Sequence, residues 1–346
     1  MRLITSLLLF IFMTSCNQEV KKTLKTYTSV SVQDIYNDSI SVRAIELMGD
    51  GTLAFAANNG AYGLYFPKKQ QWATGTQIYD TIPLHFRAVA HTTNDFFMLS
   101  IESPALLYKT GDDGSMKLVY KEEGEDVFYD AMTFWNDKEG IAVGDSVNGC
   151  LSIIITRDGG ETWNKLSCEQ LPRAIEGEGA FAASNTNIKV LGDKAWIATN
   201  NGIIYFTANK GVSWVAIDTP MKNSEVTQGI YSIDFYDEFN GFAIGGDYTK
   251  PDINTNNKMK TSDGGTTWQL VANGEEPGYK SCVQYIPNQD AKSLVAVSFK
   301  GIAISNDGGL TWTPISDEAF YTIRFVNDST AYAAGKGRIS KLVFTE

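Results

Sequence analysis

Charged and aromatic residues lie beside short apolar segments at many points of the sequence, where an unpaired polar group costs most free energy. Those that could contact a ligand are Arg43, Arg87, Glu102, Asp130, Asp145, Glu178, Asp247, Lys250, Tyr279, Lys280 and Lys336. We expect them to line a functional pocket, and the alternative is a structural polar network. Glu178, Asp130 and Glu102 could serve a hydrolase, provided that two of these carboxylates lie about 5–10 Å apart.

Most other catalytic chemistries lack their residues in this sequence. His85 and His91 are the only histidines, and beyond the N-terminal region the cysteines are Cys150, Cys168 and Cys282, with no CxxC pair. A zinc site or a Ser/His/Asp triad is therefore hard to build, and we predict no metal. There is no GxGxxG after a predicted strand and no haem motif, so we predict no cofactor. Cys150 and Cys168 could pair in an oxidising compartment, but buried free thiols are the favoured prediction.

The charge of the chain argues against nucleic acid as a partner. The formal net charge of the 346 residues is −11, and lysine and arginine form no clustered basic stripe. Binding to nucleic-acid phosphates requires such a cluster. We interpret the acidic balance as a source of solubility only.

A repeat marks the elements that must position these residues. Three nearly complete copies of the pattern S/T-x-D-x-G-x-T-W contain Asp158, Gly160, Trp163, Asp263, Gly265, Trp268, Asp307, Gly309 and Trp312. With degraded copies after Thr110 and Thr207, equivalent Asp or Asn positions lie 46, 51, 54 and 44 residues apart. That spacing is typical of a four-stranded propeller blade. Aspartate and glycine favour a tight turn, and the tryptophan then starts a strand on a buried face, so we predict a structural role for this motif.

Short strand-like segments joined by tight turns precede each copy, for example residues 130–135 and 140–144. We predict an all-β fold, a single seven-bladed β-propeller with four-stranded blades over residues 26–346. The blades are expected to start near Ser41, Phe86, Phe128, Gly177, Gly229, Gly278 and Phe320. The last blade ends at residues 338–344 without an outer strand, so residues 26–32 are predicted to complete it and close the ring.

The repeated motif resembles the Asp box, or bacterial neuraminidase (BNR) repeat. The rest of the chain is similar to bacterial propellers of the photosystem II stability/assembly factor-like group. The similarity rests on residues 86–88, 100–105, 128–132, 144–145, 176–181, 245–252 and 278–282. Members of that group carry oxidoreductase or BNR-repeat glycosyl hydrolase names. The resemblance implies the propeller fold and little about activity, because one fold supports many functions.

The N-terminus is typical of a bacterial lipoprotein. Residues 1–15 combine Arg2, an apolar run over residues 3–13 and a small residue directly before Cys16, as a signal peptide does. We predict that Cys16 is lipidated and that residues 16–25 tether the domain to a membrane of the bacterial cell envelope, on its periplasmic face or at the cell surface. An ordinary signal peptide that is cleaved nearby is the alternative.

Three functions fit a propeller with these residues at the mouth of its central channel. The favoured one is a monomeric, non-enzymatic binding or assembly module that presents the mouth to a protein or a small-molecule or glycan ligand. The second is a sialidase-like glycoside hydrolase or glycan-binding protein, in which Arg43, Arg87 and Arg324 converge and Glu178 acts beside a tyrosine such as Tyr279. The sialidase signature Arg-Ile-Pro is absent, however, because Ala88 follows Arg87. The third, an oxidoreductase, rests on family names alone.

Overall fold

The computed structural model describes residues 23–111 and 114–346. Within these ranges the regular structure is 27 β-strands and two single turns of 3-10 helix, Asn58–Gly60 and Cys168–Gln170. The all-β prediction is confirmed. No helix in the described ranges is long and apolar enough to cross a membrane. The predicted signal peptide, Cys16, most of the tether and residue 112 of the degraded repeat lie outside the described residues.

The strands alternate with short turns throughout the chain. The first twelve are β1 (Ser29–Leu47), β2 (Leu53–Ala57), β3 (Ala61–Phe66), β4 (Gln71–Thr76), β5 (Phe86–His91), β6 (Phe96–Ser100), β7 (Ala105–Thr110), β8 (Met116–Glu122), β9 (Tyr129–Phe134), β10 (Gly140–Val147), β11 (Cys150–Thr156) and β12 (Asn164–Lys165). The others are β13 (Ile188–Leu191), β14 (Lys194–Ala198), β15 (Ile203–Thr207), β16 (Val215–Asp218), β17 (Gln228–Phe235), β18 (Gly241–Asp247), β19 (Lys258–Thr261), β20 (Gln269–Leu270), β21 (Cys282–Tyr285), β22 (Leu294–Ser298), β23 (Gly301–Ser305), β24 (Thr313–Ser316), β25 (Thr322–Phe325), β26 (Thr330–Ala334) and β27 (Lys336–Thr345).

The described strands form five antiparallel sheets of four strands and one sheet of seven. Each four-stranded sheet uses four consecutive strands, from β5–β8 through β21–β24. The seven-stranded sheet has the order β25-β26-β27-β1-β2-β3-β4. The first strands of successive groups contact one another in the order β1, β5, β9, β13, β17, β21, β25, and β25 contacts β1. These inner strands therefore surround a common axis.

The long strand β1 belongs to both halves of the seven-stranded sheet. Its N-terminal part pairs with β27, from Ser29 opposite Thr345 to Ser41 opposite Lys336. Its C-terminal part pairs with β2, from Val42 to Leu47. Register shifts interrupt both pairings, within residues 34–41 opposite β27 and between Val42 and Ala44 opposite β2.

The apolar core lies between neighbouring sheets, and the repeated motif supplies part of it. Trp163, from the first copy, is only 6% exposed. Its ring centroid lies 5.7 Å from that of Phe134 in its own sheet and 6.5 Å from that of Phe97 in the preceding one. Burying an aromatic side chain between two sheets removes a large apolar area from water and holds the sheets together.

The Asp-Gly turns join the third and fourth strands of their sheets, at the outer part of each sheet. Asp158 accepts hydrogen bonds from the amide and hydroxyl of Thr162 at 3.0 and 2.7 Å and from the hydroxyl of Thr156 at 2.8 Å. Asp263 and Asp307 make the equivalent bonds in their copies. Gly160 has a φ of +80°, and a Cβ there would collide with the ring of Phe97. The turn geometry thus explains why the motif keeps its aspartate and glycine.

The fourth sheet departs from the predicted strand positions. Its first strand begins at Ile188, whereas the sequence predicted a start near Gly177. Residues 181–187 instead cross the space inside the inner strands. The Asn185 amide donates to Val89 O in β5 at 2.8 Å, and the Ser184 hydroxyl donates to Ser281 O on the opposite side at 2.7 Å. Hydrogen bonds to other sheets, in place of strand pairing within one sheet, hold this segment, which is here called the plug.

The cysteine prediction is wrong for two of the three thiols. Cys150 and Cys168 form a disulfide with their Cα atoms 5.4 Å apart. The β10–β11 hairpin brings Cys150 next to the 3-10 turn that starts at Cys168, which the sequence did not show. Cys282 is buried and free, as predicted.

Candidate ligand-binding cavity

A cavity of about 400 Å³ opens at the end of the ring where the inner strands begin, which we call the upper mouth. It is lined by Arg43, Arg87, Phe181, Ala182, Ala183, Tyr231, Tyr248, Tyr279, Phe299 and Tyr321. Arg43 lies in the part of β1 that pairs with β2, Arg87 is the second residue of β5, and Tyr231 is the fourth residue of β17. Phe181, Ala182 and Ala183 belong to the plug, which forms the floor. The cavity is therefore a pocket closed at its inner end.

Two guanidinium groups face this pocket with few partners. The Arg43 guanidinium carbon lies 4.1 Å from the centroid of the Tyr321 ring, and this side chain makes no hydrogen bond or ion pair to a described residue. Arg87 donates one long hydrogen bond, 3.5 Å from Nη1 to Ala182 O. Burial and the nearby charge of Arg43 both lower the pKa of Arg87. Each guanidinium has five N–H donors, so most of them remain free for an anionic group.

Aromatic rings form the opposite wall of the pocket. Phe181 stacks on Tyr231 with 3.7 Å between ring centroids, and Tyr231 meets Tyr279 edge-on at 4.9 Å. Phe299 lies 5.5 Å from Tyr279 and is 40% exposed, and Tyr248 at the rim is 48% exposed. Burial raises the pKa of both Tyr231 and Tyr279, so both phenols are neutral at physiological pH. This wall offers apolar surface with hydroxyl groups at its edge.

Three of the predicted ligand residues thus meet in the pocket, namely Arg43, Arg87 and Tyr279. Two others, Asp130 and Asp145, lie outside the pocket lining. Asp130 is fully buried, and the charged groups that act on it are Asp145 and Arg87. Among the ten residues that line the pocket, none carries a carboxylate.

Another three predicted residues are buried with partners in their own surroundings. Glu178 accepts hydrogen bonds from Thr199 Oγ1 at 2.8 Å, Tyr205 Oη at 3.1 Å and the amide of Ile175 at 2.8 Å. Asp247 accepts from the amide and hydroxyl of Thr249 at 2.9 and 2.7 Å. Lys280 donates to Gly301 O at 2.9 Å, and burial lowers its pKa to about 8. These contacts support local structure and direct the side chains away from the pocket.

The remaining predicted residues, Glu102, Lys250 and Lys336, are exposed. Glu102 lies in the β6–β7 turn beside a smaller cavity next to His85. Lys250 pairs with Glu225 at 3.3 Å. Glu102 lies on the surface and Asp130 and Glu178 are buried, so the three carboxylates named for a hydrolase share no open cavity.

A second cavity, of about 240 Å³, lies at the lower mouth, where the inner strands end. Arg324 lies there, with its Nε atom 3.6 Å from Glu46 and further bonds from Nη2 to the plug carbonyls. Lys189 and Asp234 pair across the same cavity at 2.6 Å. The predicted convergence of Arg324 with Arg43 and Arg87 is therefore wrong, because the plug separates the two mouths.

Sequence reasoning missed most of the pocket wall. Phe181, Tyr231, Tyr248 and Phe299 resemble ordinary core aromatics in sequence, since each is next to an apolar strand or turn. Only their common position near the start of an inner strand or just after a second strand could have indicated the mouth. No group of three or more His, Cys, Asp or Glu side chains in residues 23–111 and 114–346 is arranged to hold a metal ion.

Among known proteins, this chain is similar to solved structures only. No protein-family model matches the sequence, and no curated protein matches it. Solved structures do match. The structure of YCF48 bound to D1 peptide superposes with a TM-score of 0.62 at 12% identity, covering 94% of this chain and all of that one. The fold is a β-propeller.

Other propellers superpose equally well. YCF48 from Cyanidioschyzon merolae gives a TM-score of 0.60 at 13% identity over 92% of this chain and 98% of its own. The WD40 repeats of RRP9 give 0.65 at 10% identity over 93% of this chain and 99% of theirs. At such identities the similarity establishes the architecture, and the function has to be argued from the site.

Proposed function

We propose that the protein is a binding or assembly module whose upper-mouth pocket holds an anionic group of a polypeptide partner. The observation that supports this most is the pair of guanidinium groups, Arg43 and Arg87, which have almost no acceptor in the described chain. Partly buried cations that lack protein partners gain most from a carboxylate or similar anion. The aromatic wall beside them suits an apolar side chain of the same partner.

The propeller comparison supports a protein partner. YCF48 has been solved with a bound D1 peptide, and WD40 propellers share the architecture. The pocket adds exposed aromatic surface at Tyr248 and Phe299. Aromatic residues with arginine are enriched where binding energy concentrates in protein interfaces.

We also propose that the ring is a seven-bladed propeller. The seven-stranded sheet divides at β1 into two groups of four, β25-β26-β27 with the first part of β1, and the second part of β1 with β2-β3-β4. The pairing of β1 with β27 and the contact of β25 with β1 support this division. The repeated turns are then Asp boxes in their structural role.

The cell-envelope assignment remains a proposal as well. We propose that residues 1–15 are removed as a signal peptide, that Cys16 carries the lipid and that the monomeric propeller is tethered to a membrane. The Cys150–Cys168 disulfide supports an oxidising compartment, because structural disulfides are rare in the cytosol.

A site-specific photo-crosslinker tests the binding function. It replaces Phe299, which lines the pocket and is 40% exposed, or Phe239, a phenylalanine in the β17–β18 turn at the opposite face that is 55% exposed. We expect Phe299→p-benzoylphenylalanine to capture a discrete polypeptide in native cells and the Phe239 variant to capture none.

Arginine variants complete the test. Adding Arg43→Gln and Arg87→Gln to the Phe299 probe should abolish capture. Arg157→Gln, which changes an exposed arginine in a β11–β12 turn, should leave capture unchanged. Equal capture from both probe positions, or capture that survives loss of both pocket arginines, would contradict the proposal.

A further inference from the structure

Two carboxyl groups on paired strands interact with each other, and one of them interacts with Arg87. Asp130 is the second residue of β9, and Asp145 lies in the paired strand β10, next to the point where Gly144 opposes Tyr129. Asp130 is fully buried, and no hydrogen-bond donor of the described chain reaches either of its oxygens. Asp145 is the charged group that acts most strongly on it.

The surroundings of this pair are well defined. The amide of Ala180 donates to Asp145 Oδ1 at 3.2 Å, and a Cβ at Gly179 would collide with the same carboxylate. Arg87 is the cation that acts on Asp130. Arg87 is in turn influenced by the charged or titratable groups Arg43, Glu102 and Tyr321.

Adjacent carboxyl groups in a buried site do not both ionise, since neither water nor enough cations would compensate two charges. Burial raises the pKa of Asp145 to about 6. Burial, reinforced by the charge of Asp145, raises the pKa of Asp130 well above its usual range. The pair therefore titrates as a unit, and Asp145 is its member that ionises first.

We propose that the Asp130–Asp145 pair is a proton-linked regulator of the upper-mouth pocket, so that an anionic group binds there together with a proton. This inference rests on the proposed function, because it assigns a control element to the same pocket. When the pair is neutral, Arg43 and Arg87 attract an anion without competition from a charge on the pair. When the pair is ionised, its negative charge attracts Arg87 inward and repels the anion.

Thermodynamic linkage between proton binding and anion binding gives the direction in which the anion affinity changes with pH. A bound anion stabilises the protonated pair, so anion binding takes up at most one proton, and the affinity falls as pH rises through 6. Coupling of this kind commonly changes an affinity by about tenfold. The affinity for an anion should therefore fall about tenfold from pH 5 to pH 7.5.

Calorimetric titration of the full protein with N-acetyl-L-phenylalanine tests this. The probe has a carboxylate for the arginines and a ring for the aromatic wall, and its charge is constant over this pH range. The double variant Asp130→Asn/Asp145→Asn should keep the acid-range affinity at every pH. His85→Gln is the matched control, because His85 lines a small neighbouring cavity with both arginines, and it should keep the wild-type pH dependence.

Proton uptake provides a measurement that needs no variant. Titrations of the wild type at pH 6 in buffers of different ionisation enthalpy should show uptake of a substantial fraction of a proton. Binding without uptake, or a double variant that follows the wild-type pH profile, overturns the inference and leaves the anion pocket intact. Failure of the wild type to bind the probe at any pH from 5 to 7.5 overturns the anion pocket as well.

Discussion

Asp130 and Asp263 show how the position of an aspartate decides what its charge does to stability. Asp130 has no donor for its oxygens, and burial raises its pKa. Asp263 accepts hydrogen bonds from the hydroxyl and amide of Thr267 at 2.6 and 2.9 Å, which lower its pKa. The same residue type therefore contributes opposite pH dependences of folding at these two places.

Replacing Asp130 with Asn should stabilise the protein at neutral pH. The raised pKa means that folding keeps a proton on Asp130, so its contribution is favourable in acid and is lost as the pH rises above about 4. Asp130→Asn is neutral at all pH values and should raise the free energy of unfolding by about 1–3 kcal/mol at pH 7.5, with a smaller or opposite change at pH 4.5. Urea denaturation at both pH values checks this, and an unchanged pH slope would contradict it.

The corresponding change at Asp263 should have the opposite sign. The lowered pKa means that the ionised form stabilises the fold above about pH 4, and that this stabilisation is lost as the pH falls through the folded-state pKa. Asp263→Asn weakens the bonds to Thr267 and should cost about 1 kcal/mol at pH 7. The cost should shrink towards pH 3 in the same denaturation experiment, and a cost independent of pH would show that the charge is irrelevant.

The pocket arginines were predictable from sequence, and the roles of Glu178 and Lys280 were not. Arg43 and Arg87 are charged residues that directly precede apolar positions of inner strands. Glu178 and Lys280 show the same local signal, but Thr199, Tyr205 and Gly301 occupy their polar atoms. Those partners lie 21 or more residues away in the chain, so no local pattern reveals them.

At the scale of elements, the plug is the segment that connects several sheets of the ring. The plug contacts more than Val89 and Ser281. Asn185 also accepts a hydrogen bond from the amide of Met132 at 2.9 Å, and Thr186 Oγ1 contacts Ser232 Oγ at 2.8 Å. One short segment thus bonds to inner strands on several sides of the axis. The plug both forms the pocket floor and ties the sheets together.

Asn185→Ala should test that second role. The change leaves the buried Val89 carbonyl and Met132 amide without partners, at a cost of about 2–4 kcal/mol in the free energy of unfolding. Asn200→Ala is the control, since Asn200 makes two comparable bonds to Gly177 and Gly179 near the surface, where water can replace them. Thermal and urea denaturation of both variants checks this. Equal losses would mean that the central position of Asn185 has no special effect.

The strands were more predictable than the plug. Turn-forming residues bound each hairpin, so the predicted segments 130–135 and 140–144 lie within one residue of β9 and at the start of β10. Residues 177–187 contain glycine, alanine and small polar residues, which fit a strand in a crowded centre equally well. What makes them a plug is bonding to distant strands, and a repeat-based prediction assumes instead that each unit pairs within itself.

For the whole molecule, the N-terminal part of β1 is the segment on which we expect the stability of the ring to depend. It covers the edge of β27, and Tyr27 just before it is 1% exposed and packs on Phe344. Removing it would expose the edges of two strand groups and open the core between them.

Deletion of residues 26–33 should therefore unfold the propeller. We expect the cooperative thermal transition seen by circular dichroism to disappear or to move to a much lower temperature. Deletion of residues 17–24, of the same length but outside β1, should preserve the transition. A melting temperature unaffected by the first deletion would contradict closure of the ring by β1.

The position at which the chain enters the ring determines the orientation that an N-terminal tether would give the propeller. The amide of Lys25 donates to Gln289 Oε1 at 3.0 Å, and its ammonium pairs with Asp328 at 2.8 Å. Both partners lie in turns that follow inner strands, on the face opposite the pocket. A lipid on Cys16, with a tether that spans at most about 35 Å, would hold the propeller by its underside. The pocket would then face away from the bilayer and be open to partners in the aqueous phase.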